Sequence, residues 1–232
     1  HAAGPEPEEL DVFMGRDFLI TYQDHELAVI GAVVADLQAG ITLRTGVDGI
    51  LHAIADRLTD DLLPLVNRLA NHLDDIEDDI LAQPSQLLQH DILTVRSLAG
   101  RIRRLLTAQL QVTQRLSRGE FEYVAEPNRI YFRDVYDHLV RIDFSLEGLR
   151  EDTDVALSTY LSSVNNELST VMKVLAIVAT LALPSTVITG IFGTNFDNVP
   201  GLHSSEGFLL MVASMVALGL GMGIYFRRKG WF

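Results

Sequence analysis

Gly193-Thr194-Asn195 closes a long apolar run and offers uncharged oxygens where such a run would meet water. An amide or carbonyl oxygen can accept from the water shell of a hydrated cation. Stripping a divalent ion bare would take several oxygen ligands, usually charged ones, and Mg²⁺ gives up its water reluctantly. Neither Val174–Phe192 nor Phe208–Phe226 holds a carboxylate. The chemistry on offer is therefore the handling of a hydrated ion. One chain supplies one Asn195, so a ring of such amides requires several copies. Two other groups carry reactive residue types: Asp134, Asp137 and His138 at i, i+3 and i+4, and His72, Asp74 and Asp75. No nucleophile, glycine-rich phosphate loop or supported acid–base pair accompanies them, so they read as solvated helix faces and the chain does not read as an enzyme.

The elements that must position Asn195 are apolar. Val174–Phe192 carries no charge over a length of roughly 28 Å as helix, close to the hydrocarbon thickness of a bilayer. A second run, Phe208–Phe226, follows a short loop, and the chain then reads Arg227-Arg228-Lys229-Gly230-Trp231-Phe232. The loop 193–207 has no Lys or Arg, whereas Lys173 precedes the first run and three basic residues follow the second. By the positive-inside tendency both termini are cytoplasmic and the loop is outside, with Lys173, Arg227, Arg228 and Lys229 as interface anchors beside the lipid. The first run also contains Thr180, Pro184, Ser185, Thr186 and Thr189. Such residues are tolerated where neighbouring helices or a water-filled cavity satisfy the freed backbone groups, or where the hydroxyls bond back to their own helix.

The helix that enters the membrane starts far upstream. After Pro127, apolar or small residues step by three and four through Phe132, Val135, Leu139, Ile142, Leu146, Leu149, Thr153, Ala156 and Tyr160. The rhythm continues into Met172, Leu175, Ala179, Leu183, Thr186 and Gly190, the candidate pore face and gate. A helix of about 60 residues, ~95 Å long, is predicted. A sustained seam means helices packed about a common axis, so the rod is expected to need partner copies.

Upstream, Leu10–Tyr22 is rich in β-branched and aromatic residues around Gly15-Arg16 and reads as a hairpin, the remnant of a larger sheet. His25–Gln38 reads as a helix stopped by Gly40. Val47–Leu81 is an amphipathic helix containing Pro64, with an acidic face that includes Asp74 to Asp79. Gln83-Pro84 ends it, and Ser85–Arg118 returns antiparallel to it. The fold class is mainly α. The divisions are a partial α/β domain over 1–45, a helical hairpin over 46–126, a stalk helix over 127–173, and a two-helix pore domain over 174–232.

The 232 residues carry a net charge of −13 and no cysteine. Disulfides and thiolate metal sites are thereby excluded, the acidic balance speaks against a nucleic-acid partner, and it suits the attraction of cations. The start HAAGPEPEEL lacks the basic and apolar regions of a signal peptide.

Four stretches carry a family resemblance: Tyr131–His138 (YFRDVYDH), Tyr160–Asn165 with Val171–Leu175, Gly190–Phe196 (GIFGTNF) with Pro200, and Phe226–Trp231 (FRRKGW). Together they resemble the CorA family of magnesium transporters, in the family's order and across most of residues 10–232. The resemblance implies a homopentamer in the plasma membrane (bacterial inner membrane) and a pore lined by the first span. It implies Mg²⁺ as both transported and regulatory ion, no other cofactor, and a filter of Gly193, Thr194 and Asn195 in which Asn195 binds the hydrated ion. Asp134 would be a cytoplasmic regulatory metal ligand, shared with an acid of a neighbouring subunit's N-terminal domain. That acid is expected before residue 10, in a segment this sequence lacks, which makes closure by Mg²⁺ shallow here. The family tripeptide is Gly-Met-Asn, so Thr194 departs from it. Co²⁺ and Ni²⁺ are expected cargo beside Mg²⁺, with a Zn²⁺ transporter of the same superfamily as the alternative. From another class, a two-span receptor is the competitor. It would sense through the outer loop alone, about 15 residues long, and it would pass no ions.

Overall fold

The computed structural model describes residues 8–41, 46–194 and 205–231. In order it contains strands β1 (Leu10–Met14) and β2 (Leu19–Gln23) and helices α1 (Ala28–Gln38), α2 (Val47–Ala82) and α3 (Gln86–Ser117). A 3-10 turn at Glu126–Asn128 then leads into α4 (Arg129–Phe192), and α5 (Ser205–Arg228) follows. The fold is mainly α, as the sequence implied. Two compact units divide the chain, residues 1–161 and 162–232.

In the first unit β1 and β2 pair antiparallel, from Leu10 opposite Gln23 to Met14 opposite Leu19. The turn closes through the Gly15 N–H on the Phe18 carbonyl at 2.9 Å. Among the described residues the sheet has these two strands. Alternation turns Met14 inward, against the cluster of Leu116, Val124 and Phe132, and leaves Phe13, Ile20 and Tyr22 exposed. Helix α1 starts at Ala28 rather than His25, because Leu27 is still extended. Helix α2 runs through Pro64 without ending, and Gln83, extended and followed by Pro84, stops it. Helix α3 ends where Gly119 turns left-handed at φ +70°, a conformation that a Cβ disfavours.

The α4 seam corrects one expectation. Phe132, Val135, Leu139, Ile142, Leu146, Leu149, Thr153, Ala156 and Tyr160 are all buried within this single chain. Ile54, Val66, Leu73, Ile76 and Ile80 of α2 and Ile92, Val95, Ala99 and Leu106 of α3 are buried as well. Arg103 of α3 reaches Asp143 and Glu147 of α4, and Arg96 reaches Asp154 at 2.7 Å. From Phe132 to Tyr160 the seam is covered by the chain's own helical hairpin, so this stretch demands no second copy. A heptad rhythm states that a face is apolar; it does not state which helix lies on it.

Asp48 ties the start of α2 to the entry of α4. Only 4% exposed, its Oδ2 accepts from the Ala125 N–H and from Asn128 Nδ2, each at 2.9 Å. Its Oδ1 accepts from the Gly49 N–H at 3.1 Å. Removing the carboxylate takes an acceptor from the buried Asn128 amide and from the part-buried Ala125 N–H, which costs about 1.5–3 kcal/mol when the acceptor was charged. Asp48→Ala should therefore lower the melting temperature of the detergent-solubilised chain by several degrees. Asp48→Asn, which keeps one acceptor, should lower it less, and equal melting of all three proteins would refute the latch.

In the second unit the membrane portion of α4 shields one stripe, Lys173, Ile177, Leu181, Ser185, Ile188 and Phe192. Most other large side chains there are open, including Val174, Val178, Val187 and Ile191, and so are Phe208, Leu209 and Leu210 of α5. A core helix of a soluble protein of this length would be covered. Both helices are long and apolar enough to cross a membrane.

Candidate ion pathway and metal cluster

At 100° per residue, Met172, Leu175, Ala179, Leu183, Thr186 and Gly190 fall within an arc of about 80° on α4. All six are exposed. The shielded stripe lies about half a turn away round the same helix. The face that the sequence singled out thus lies within the wide arc left free when the unit's own contacts are made. The hydroxyl donors of this span are spent on the helix itself. Thr186 donates to the Ala182 carbonyl and Thr189 to the Ser185 carbonyl, each at 3.0 Å, while Ser185 reaches back to Leu181 at 3.5 Å. Of the two readings of these residues, bonding to their own helix is the observed one.

At the C-terminal end of α4, the Gly193 N–H bonds to the Thr189 carbonyl at 2.8 Å. A Cβ on Gly193 would stand 3.0 Å from that oxygen, so the chain's close return over the helix end favours glycine. Thr194 donates its hydroxyl to the Ile191 carbonyl at 2.8 Å, which uses the donor and leaves the oxygen as an acceptor. Asn195 lies outside the described residues.

The second feature is in the first unit. Asp56 and Asp60, one turn apart on α2, meet His138 of α4, with ligand atoms all within 4.8 Å of one another. Two ligands of one ion stand at most two bond lengths apart, about 4.2 Å for Mg–O and about 5 Å for Ca–O bonds, so the trio as it stands could hold a larger divalent cation and would have to draw slightly closer for Mg²⁺. Asp134, one turn before His138, is exposed and lies 3.9 Å from its Nε2. Asp137 is exposed and outside the trio, as are His72, Asp74 and Asp75. The reading of His138 and its neighbours as a bland helix face was incomplete, since Asp56 and Asp60 reach it from a helix about 80 residues earlier. The i, i+4 acid pair was the available signal; nothing local pointed it at His138.

Further along α2, burial and the charges of Asp74, Asp152 and Asp78 raise the Glu77 carboxyl above its usual range. Asp152 belongs to α4, so the acidic face is not wholly a free surface. At the other end of the second unit, Lys173 donates to the Gly230 carbonyl at 3.3 Å, while Arg227, Arg228 and Lys229 are exposed.

Comparison with known proteins agrees with the resemblance. The family model described as CorA-like Mg²⁺ transporter protein matches residues 2–228. YfjQ of Bacillus subtilis, named for metal ion transport, is 32% identical over 228 residues, 98% of this chain and 72% of that one. The cobalt/magnesium transport protein CorA of Thermotoga maritima is 30% identical over 229 residues, 97% of this chain and 65% of that one. The solved CorA magnesium transporter of Methanocaldococcus jannaschii superposes with a TM-score of 0.85 at 25% identity, over 95% of this chain and 71% of that one. The chain therefore spans about two thirds to seven tenths of these relatives' lengths.

Proposed function

Because the chain belongs to the family of CorA-like metal ion transporters, we propose that it carries hydrated divalent cations, Mg²⁺ foremost, through a pore that five copies build around α4. The observation that supports this best is the free face of α4. Its six residues are exposed in the single chain, opposite the stripe that the chain shields. Copies arranged round a closed axis would turn such faces toward one another. Lys173 and Gly230, at the near end of one span and the far end of the other, bond to each other. That contact, with the basic residues beside it, supports a topology in which both membrane-proximal ends lie on the cytoplasmic side. Asn195 is the filter ligand in this reading, presented beyond the turn that Gly193 and Thr194 make.

The test is metal-by-metal uptake in vesicles reconstituted with the purified chain. Mg²⁺ entry, with Co²⁺ and Ni²⁺ competing, supports the proposal. Preferred Zn²⁺ entry would make it a zinc transporter of the same build. No entry of any divalent ion would favour the receptor reading.

Thr194 bears on ion choice. Its hydroxyl oxygen stands where the family has a flexible apolar side chain. Thr194→Met should sharpen discrimination, so that Zn²⁺, Co²⁺ and Ni²⁺ compete less well against Mg²⁺ in the same uptake measurement. An unchanged competition profile would remove this position from the selectivity account.

Regulation is assigned to Asp134 together with the cluster beside it. A metal ion bound by two carboxylates favours whichever state brings them together, and it can shift the equilibrium only by its difference in affinity between states. Asp134→Ala alone should alter the Mg²⁺ dependence of closure slightly, because Asp56, Asp60 and His138 remain. Asp56→Asn with His138→Ala should shift the inhibitory Mg²⁺ concentration upward more strongly. Steep inhibition abolished by Asp134→Ala alone would place the regulatory ion on Asp134 instead.

A further inference from the structure

We propose that the C-terminal turn is a clasp that fixes the rotational setting of α4 at the inner end of its span and thereby seals the pathway beside it. The inference rests on the ion-pathway reading of α4 given above.

Helix α5 ends in a Schellman motif. The Gly230 N–H bonds to the Arg227 carbonyl at 3.1 Å and the Trp231 N–H to the Phe226 carbonyl at 3.0 Å, with Gly230 at φ +70°. This turn folds Trp231 back over Phe226, ring centroids 5.3 Å apart and planes 22° from parallel. Phe226 is buried beneath it. The same turn points the Gly230 carbonyl at Lys173, whose Nζ donates to it at 3.3 Å and lies 5.9 Å from the centre of the Trp231 ring. Both contacts link the start of the first span to the end of the second.

Lys173 begins the shielded stripe of α4, and Met172, about 100° round the helix, begins the free face. The rest of the stripe is mostly aliphatic. In a bilayer, aliphatic contacts choose poorly between neighbouring rotational settings, because lipid tails are as apolar as leucine. A hydrogen bond and a cation over a ring are directional. They also give an ammonium at the hydrocarbon edge the partners it requires. The clasp is therefore the part of the unit able to decide that Met172, and not Lys173, faces the axis. A ring of apolar side chains seals only if every copy presents the same residue. An unclasped α4 would leave the ring incomplete and the closed state leaky.

The experiment is flux through vesicles containing the full chain, measured at high internal Mg²⁺, where closure is expected. Trp231→Ala and Lys173→Gln should each raise that residual flux about fivefold, equivalent to ~1 kcal/mol. Lys173→Arg should behave as wild type. Because the chain has no cysteine, the double variant Lys173→Cys/Trp231→Cys isolates the contact. It should leak when reduced and seal again when a short bifunctional thiol reagent joins the two positions. Wild-type flux in the reduced double variant, or a leak that cross-linking leaves untouched, overturns the clasp. Should Trp231→Ala fail to assemble, Lys173→Gln carries the same expectation with the smaller change. A wild-type chain that conducts nothing counts against the transport reading, whereas clasp variants that match a conducting wild type count against the clasp alone.

Discussion

Asn195→Ala should reduce divalent cation uptake to background while leaving assembly and melting temperature unchanged. In the proposed filter the amide would accept from the water shell of the ion without bringing a charge that would hold the ion too tightly to release. Each such contact is worth about 1 kcal/mol net, so the ring of five proposed above would be worth about 5 kcal/mol. That is more than three decades of occupancy at ~1.4 kcal/mol each. Alanine removes the oxygen from every copy at once, which is why one substitution has so large an effect. The membrane potential cannot compensate for it. A divalent charge moving inward gains roughly 4.6 kcal/mol per 100 mV, but only after it has entered the filter. Uptake by Asn195→Ala at the wild-type rate, in vesicles loaded with a Mg²⁺-sensitive dye, would end the assignment. Asn195→Asp gives a second reading: a carboxylate keeps the acceptor and adds charge, so it should bind ions more tightly and pass them more slowly.

The second large effect is expected at the inner end of the span. Met172→Ser and Leu175→Ser should each produce a pore that stays conductive at high internal Mg²⁺. Both side chains are exposed on the free face of α4, 63% and 60% in the single chain, so neither is needed for contacts within the unit. Brought together around an axis, such side chains exclude water, and an ion that must keep its shell cannot pass a dry constriction. A hydroxyl returns about 1–2 kcal/mol of hydration per copy. That is about five- to thirtyfold in the population of the wet state for one copy alone, before the others are counted. Met172→Leu, which keeps the apolar character, should close normally. If both serine variants close as wild type does, the constriction lies higher, with Leu183 the next apolar candidate on the same face.

Residue types and their spacing settled much of this protein without help from the fold. The absence of charge from Val174 to Phe192 and from Phe208 to Phe226 marks the two spans, because burying a charge in hydrocarbon is costly whatever the surroundings. Pro84 and Gly119 mark the helix ends near them, because backbone geometry is a local matter. The seam from Phe132 to Tyr160 and the candidate pore face from Met172 to Gly190 were both legible as faces, since a period of 3.6 is written in the order of the residues.

What covers each face was decided by the tertiary structure. The same rhythm runs through both stretches of α4, yet the first is buried under α2 and α3 and the second stays open. An apolar stripe is satisfied equally by its own chain, by another copy or by lipid, and periodicity does not distinguish among them. The meeting of His138 with Asp56 and Asp60, and of Lys173 with Gly230 and Trp231, likewise depends on helices returning across tens of residues. Local order determines which way a side chain leaves its helix. Only the packing of one helix on another determines what stands opposite it.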